Sequence, residues 1–398
     1  FIPVPGVNAA AITQYAEQYD MLGFLNLLSG GAFGDFSIFA MGISPYITGS
    51  IIIQLLTIAI PSLERLSKEE DGREKIEAIT RYTGIGLALV QSIGIVAGLQ
   101  NSNYGGNVLA STDNLFLTYA TIGLVCTAGT AFLMWLGEQI TEKGVGNGIS
   151  LIIFAGIVSR LPGMFTSLWA YLQSGSLNWI GALALLILAV AVIGVVVTMN
   201  EAERRIPVQY AKRVVGRKMY GGQSTHIPIK VAAAGVIPII FAMSIMAFPG
   251  TIASFFGVQP GDKGFWGGFL WVFSSTSWVY AVLYFLLIIF FTYFYTAIQF
   301  NPVEMSNNMK KNGGFIPGIR PGRPTTDYIS RVLSRITLAG AVFLGVIAVL
   351  PIFMNLGLHI SNFAIGGTSI LIVVGVALET VKDLESQMLM RHYKGFLE

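Results

Sequence analysis

The sequence predicts an all-α, polytopic membrane protein, and three observations predict it. Nine long apolar runs recur along the 398 residues. The basic residues crowd into every second connection between those runs. No Asp, Glu, Lys, Arg or His lies in the middle of any run. Composition agrees: 54% of residues are hydrophobic and 11% charged, whereas soluble domains run near about a quarter charged.

The runs cover residues 38–60, 82–99, 115–137, 147–160, 178–200, 232–256, 278–299, 333–355 and 364–381. A helix needs ~20 apolar residues to cross the hydrocarbon core, so each is read as a span. The connections 61–81, 138–146, 201–231 and 300–335, with the tail from 382, hold 22 of the 24 Lys and Arg residues. The opposite connections hold Arg160 and Lys263. Positive charge stays on the cytoplasmic side during insertion, so the basic loops and the C-terminal tail are expected there. Net charge is only +3, but its distribution is uneven. Loop 201–231 carries seven Lys or Arg against Glu201 and Glu203, and loop 300–335 six against Glu304 and Asp327. The single cysteine, Cys126, lies within a span, which excludes an intramolecular disulfide.

Residues 1–37 fall on the external side, with Glu17, Asp20 and Asp35 and no Lys or Arg. No signal-peptide pattern opens the chain. An external start without an exporting segment predicts a further helix ahead of Phe1. Ten spans divide into two halves of five, a division common among proteins that open a path across a membrane.

The charge-free interiors weigh against several functions. Proton-coupled transport usually places ionisable groups at depth. An intramembrane enzyme needs a catalytic cluster, and the chain has no H-E-x-x-H, paired carboxylates or nucleophile–base pair. His226, His359 and His392 lie in loops or the tail and read as solvated structural residues. No G-x-x-x-x-G-K-[ST] loop is present to hydrolyse nucleotide. No metal, cofactor or catalytic residue is expected. The basic loops fit topology, anionic-lipid contact or phosphate neutralisation. A solute transporter remains the alternative, with neutral groups such as Gln54, Gln91 and Ser244 for a midplane site.

Irregular stretches interrupt the pattern. In Leu27–Ile38, L-L-S-G-G-A-F-G-D-F-S-I, Ser29, Gly30, Gly31 and Gly34 are poor in a helix interior. A short half-helix before them fits a re-entrant element, or else an external surface loop. Pro45 is expected to kink the start of the next span. Ile43 with Ile47, and Ile149 with Ile153, share one helix face at i, i+4. A ring of such residues would constrict a pore, but isoleucine is common in every span and the pairs taken alone read first as lipid-facing or packing residues. Gly144, Gly146 and Gly148 mark a tight turn. Prolines and glycines bracket Arg320, predicting a stiff, protruding turn suited to docking a partner.

Longer stretches resemble the SecY family, the central subunit of the bacterial protein-conducting channel. They include F-I-P-V-P-G at Phe1–Gly6, L-L-S-G-G-A-F at Leu27–Phe33 and G-I-S-P-Y-I-T-G-S-I-I-I-Q-L-L at Gly42–Leu56. M-W-L-G-E-Q-I-T-E-K-G-V-G-N-G-I-S at Met134–Ser150, Q-S-T-H-I-P-I-K at Gln223–Lys230, G-F-I-P-G-I-R-P-G at Gly314–Gly322 and G-G-T-S-I-L-I-V-V at Gly366–Val374 follow in the expected order.

The resemblance implies ten helices, nine of them here, in two pseudo-symmetric five-helix halves forming a clamshell channel with a re-entrant plug half-helix. The parts are then an external segment 1–37 with the plug, the rest of the N-terminal half at 38–177, and the C-terminal half at 178–398. By resemblance the pore ring falls on Ile43, Ile47, Ile149, Ile153, Ile240 and Ile372. The plug falls around Gly23–Phe33, with Leu27, Leu28, Ser29, Gly30 and Gly31. The lateral gate falls on the helices at 38–60 and 232–256, with Gln54 as its polar group. Arg320, Arg204, Arg205, Arg217 and Lys218 are the implied docking residues for motor or ribosome. The implied partners are the small membrane subunits SecE and SecG, the SecA motor ATPase, the ribosome, signal sequences, unfolded secretory polypeptides and anionic lipids. The implied location is the bacterial cytoplasmic membrane, and the implied activity is translocation rather than catalysis.

Overall fold

The computed structural model describes residues 2–8, 29–69, 72–101, 109, 114–173, 178–210, 213–215, 218–220, 224–232, 234–255, 264–274, 277–358 and 367–394. All nine apolar runs are helical over most of their length, but their ends are set by local chemistry and not by hydropathy. Helix α1 (Ser44–Ala59) opens with Pro45 in its first turn. An N–H at that position has no intrahelical acceptor, so proline costs nothing there and starts the helix. The expected kink at Pro45 is therefore absent. The sharp bend comes later, at Ile60, whose extended backbone (φ −107°, ψ 111°) joins α1 to α2 (Pro61–Lys68). The axes of α1 and α2 differ by 104°.

Helices α3 (Gly72–Asn101) and α4 (Leu115–Lys143) run past their apolar runs into charged turns. Arg81 of α3 donates to Glu138 of α4 at 2.9 Å across those turns. Then come α5 (Gly148–Ser159), α6 (Leu161–Gln173) and α7 (Trp179–Glu201). After the second large basic loop come α8 (Ile237–Phe255), α9 (Phe265–Val272), α10 (Trp278–Gln299), α11 (Pro302–Lys311), α12 (Arg323–Leu358) and α13 (Gly367–Lys394).

Among the described residues, five helices are long and apolar enough to cross a membrane, and six if α1 and α2 form one bent span. Length and composition among the described residues do not confirm the predicted nine crossings. Helix α5 has 12 residues and rises ~18 Å, short of the ~30 Å hydrocarbon core. The apolar part of α8 is also short, ending at Gly250. The first 18 described residues of α13 already include Glu379, Lys382 and Asp383.

The basic loops are not plain loops. In loop 201–231, β1 (Glu203–Tyr210) pairs antiparallel with β4 (Ser224–Lys230), and β2 (Arg213–Val215) pairs with β3 (Lys218–Tyr220) farther out. Strand β5 (Gly314–Phe315), from the other basic loop, adds to β1 at Gln209 and Tyr210. The sheet order is β4-β1-β5. Ile206 and Val208 turn inward from β1 and Ile229 from β4, meeting Met309 of α11, Ile316, and Ile329 and Leu333 of α12. The two loops thus share one apolar core and form one body.

Candidate functional site

The six isoleucines singled out as a ring all lie in or against one apolar cluster, the largest among the described residues. Ile43, Ile47, Ile153 and Ile372 are buried in it, and Ile149 and Ile240 pack against it half-buried. Four helices supply them. Ile43 caps α1 and Ile47 lies in its first turn, Ile149 and Ile153 lie on α5, Ile240 on α8 and Ile372 on α13. The cluster gathers apolar side chains, and within it the buried Tyr284 hydroxyl has no hydrogen-bond partner among the described residues. The six isoleucines themselves exclude water and offer no hydrogen-bonding group.

Local sequence sets the start of two of the four ring helices. Helix α5 starts where Asn147 Oδ1 accepts from Ile149 N at 3.1 Å and Ser150 N at 3.2 Å. This is an N-cap that satisfies two orphan donors. Thr141 Oγ1 accepts from Gly148 N at 2.9 Å, folding α5 back on α4. A Cβ on Gly148 would strike the Gly137 carbonyl, so the glycine permits that contact. At the start of α1, Gly42 (φ +54°) turns the chain over Ser29 before Ile43.

The stretch before α1 is a run of turns, with Ser29 Oγ accepting from Phe33 N at 3.0 Å. Gly30 (φ +65°) lies against Gly156 of α5, where an added Cβ would come within 3.1 Å of the Gly156 Cα. Phe33 and Phe36 are fully buried among Val4, Met41, Ile95, Ile122 and Cys126. The half-helix expected around Gly23–Phe33 falls mostly outside the described residues, as do Leu27 and Leu28.

Helix α8 packs against α1, α3 and α10. This places the two helices assigned to the lateral gate side by side. Gln54 is exposed on α1, its Nε2 within 3.5 Å of Ser50 Oγ one turn back. It is not buried between the helices.

The docking residues gather on the sheet body and its neighbour turn. Arg204 and Arg205 are exposed on β1, and Arg205 Nε pairs with Glu203 at 2.6 Å. Lys218 begins β3, and Arg217 lies outside the described residues. Arg320 is exposed after a turn in which Ile319 N donates to the Ile316 carbonyl at 3.0 Å. Pro317 and Gly318 (φ +84°) hold the two central positions, the signature of a type II turn. Buried Thr325 donates to the Arg320 carbonyl at 2.9 Å, and buried Ser306 to the Gly322 carbonyl at 3.1 Å. The turn is tied down from both sides, as the Pro and Gly spacing predicted.

Reading the loops for charge alone missed the body that carries these cations. The signal was present as period-two alternation, Ile206 with Val208 and Ile227 with Ile229. Pro207 and Pro228 obscure it. Each sits on a strand with an unpaired side at that position, where a missing N–H is tolerated.

The fold is that of a helical, multi-pass membrane protein with an apolar centre. The SecY family model matches residues 37–381 of the chain, and the chain belongs to that family. It is 48% identical over 406 residues to the protein translocase subunit SecY of Halalkalibacterium halodurans, covering 100% of this chain and 93% of that protein. It is 47% identical over 413 residues to the SecY subunit of Mycobacterium tuberculosis, covering 100% and 92%. Among solved structures it resembles a protein-conducting channel at TM-score 0.64 and 20% identity, over 91% of this chain and 84% of that one. It also resembles Sec61 of the canine ribosome–channel complex at TM-score 0.60 and 18% identity, over 92% and 84%. These two likenesses speak for the fold. A solute transporter is not favoured by any of these matches.

Proposed function

We propose that this chain is the pore-forming subunit of a protein translocation channel, passing secretory polypeptides across a membrane and apolar segments sideways into it. One observation carries the reading: six isoleucines from four helices lie in or against one apolar cluster. An extended polypeptide presents every kind of side chain in turn. A ring without hydrogen-bonding demands lets each pass and sheds water when empty, which resists ions. The segment around Ser29–Gly31 closes the path as a plug, its glycines giving the freedom to leave.

The helices α1 and α8 form the lateral gate. A signal sequence, itself an apolar helix, replaces contacts between them at ~25 cal/mol per Å² of apolar surface buried. A few kcal/mol of such differential binding is enough to shift a gate between two states. The channel is not an enzyme, so the work comes from outside. The sheet body with Arg204, Arg205, Arg217 and Lys218, and the Arg320 turn, dock the SecA motor or the ribosome. SecE and SecG complete the assembly in the bacterial cytoplasmic membrane, with the basic loops and C-terminus cytoplasmic and in reach of anionic lipids.

The test is site-specific cross-linking. A photoactivatable residue at Ile240 is irradiated in vesicles while a secretory precursor is jammed mid-translocation. A precursor adduct at Ile240, and none at lipid-facing Leu183, is expected. Translocation that proceeds with no adduct at Ile240, Ile47 or Ile153 would move the path elsewhere.

A further inference from the structure

Helix α9 is eight residues long, F-W-G-G-F-L-W-V, and its sequence neighbourhood Gly264–Ser277 contains no charged residue. It packs on α8 and buries Gly267 and Leu270. Its other side carries Phe265 at 81% exposure, Trp266 at 65%, Trp271 at 50% and Phe269 at 40%. Four large aromatics exposed within seven residues form no isolated blemish but a continuous apolar face. Ring contacts run along it, from Phe265 to Trp266 at 5.9 Å, Trp266 to Phe269 at 6.2 Å, and Phe269 to Phe273 at 5.1 Å.

The surroundings identify what covers that face. Helix α9 precedes Trp278, the first residue of spanning helix α10, at the end away from the basic loops. Trp278 is exposed and packs on Phe353 of α12 at 5.1 Å. On the same side, Trp169 and Trp179 meet at 6.2 Å between α6 and α7. Five of the six tryptophans, all but Trp135, therefore lie in or beside the connections opposite the basic loops. Indole rings concentrate at the headgroup boundary, where the ring is desolvated and its N–H still finds a polar partner. Ser274, Ser275, Thr276 and Ser277 separate α9 in sequence from the exposed apolar side chains Trp278, Val279 and Val282 of α10.

We infer that α9 lies flat in the headgroup–acyl boundary of the leaflet opposite the basic loops, and that it anchors the adjoining end of gate helix α8 to that leaflet. The occupant of the face is glycerophospholipid. The consequence is that this end of α8 is held at fixed depth, so movement of α8 takes place within the membrane plane.

The test requires membrane insertion and not translocation, so it stands apart from the proposed activity. Trp266→Cys and Phe269→Cys chains, assembled with their partner subunits in phosphatidylethanolamine–phosphatidylglycerol vesicles, are labelled with an environment-sensitive fluorophore. Cys126 is buried, and the unsubstituted chain serves as the labelling blank. Nitroxide lipids spin-labelled at the headgroup, at acyl carbon 5 or at acyl carbon 12 are compared with aqueous iodide as quenchers. The expected result at both positions is strong quenching by headgroup and carbon-5 labels, weak quenching by carbon 12, and several-fold less iodide quenching than at Lys310→Cys. Iodide quenching equal to that control would place α9 in water. Silence to every quencher would mean a protein partner covers the face, and strongest quenching by carbon 12 would mean deep insertion. Each of those three results overturns the inference.

Discussion

Two seams in this molecule are built on different principles. Between α1 and α3, backbone meets backbone. A Cβ on Gly49 would come within 3.1 Å of the Gly84 nitrogen, and one on Gly84 within 3.1 Å of the Tyr46 Cα. Between α8 and α1, side chains fill the space, with Ile47 and Ile51 of α1 in the same cluster as Ile239, Ala242 and Met246 of α8. In lipid the hydrophobic effect does little to hold helices together, so small residues that allow close backbone approach make the firmest contacts. A seam of interdigitated aliphatic chains is softer, because an apolar substrate helix or lipid offers nearly equivalent contacts. The difference teaches which helices move as one piece. On this account α1 and α3 travel together, and the path to lipid opens between them and α8.

The largest effect is expected from breaking the firm seam. Gly84→Leu forces side-chain atoms into the α1 backbone and should cost ~3 kcal/mol. It is read as a lower midpoint of thermal unfolding in lipid nanodiscs and reduced accumulation in membranes. Met246→Leu in the soft seam keeps volume and should cost less than ~1.5 kcal/mol in the same assay. Equal losses would erase the distinction between the seams.

The ring is the next place to press. Ile153→Asn puts an amide into an apolar cluster, and an unpaired buried amide costs ~1–3 kcal/mol. Water entering to satisfy it should raise ion conductance of the resting channel in planar bilayers, whereas Ile153→Leu should leave the seal intact. A smaller effect is expected at Gly30, whose φ of +65° and contact with Gly156 disfavour any side chain. Gly30→Ala should destabilise the resting position of that turn by ~1–2 kcal/mol, detected as faster proteolytic or labelling access to Ser29→Cys in the double variant. Smallest is Arg81→Ala. The Arg81–Glu138 pair is solvent-exposed, and its loss should change stability by no more than ~1 kcal/mol and less at high salt.

Much of this architecture was legible in the residues. Long apolar runs fix where helices lie, but the i, i+4 pairs Ile43/Ile47 and Ile149/Ile153 show only that each pair shares a helix face. Ring membership of all six isoleucines came from family resemblance, since isoleucine is common in every span. Helix ends were not legible. Hydropathy is blind to Pro45 serving as a first-turn residue, to the Asn147 cap, and to charged turns that extend α3 to 30 residues and α12 to 36. The sheet body was hidden for another reason. Strand β5 is two residues long and finds its partner more than a hundred residues away, at Gln209 and Tyr210. No local pattern announces such a pairing, and a loop read for its charges conceals it further.

The account rests on α8 parting from an α1–α3 unit that stays whole. Spin labels at exposed Gln54 of α1 and Phe248 of α8 span the soft seam, and labels at Gln54 and exposed Val90 of α3 span the firm one. Pulsed dipolar spectroscopy on the assembled channel in nanodiscs, with and without a bound signal peptide, measures both distances. The account predicts that peptide lengthens Gln54–Phe248 and leaves Gln54–Val90 unchanged. A shift in Gln54–Val90, or peptide binding with neither distance moving, would contradict it.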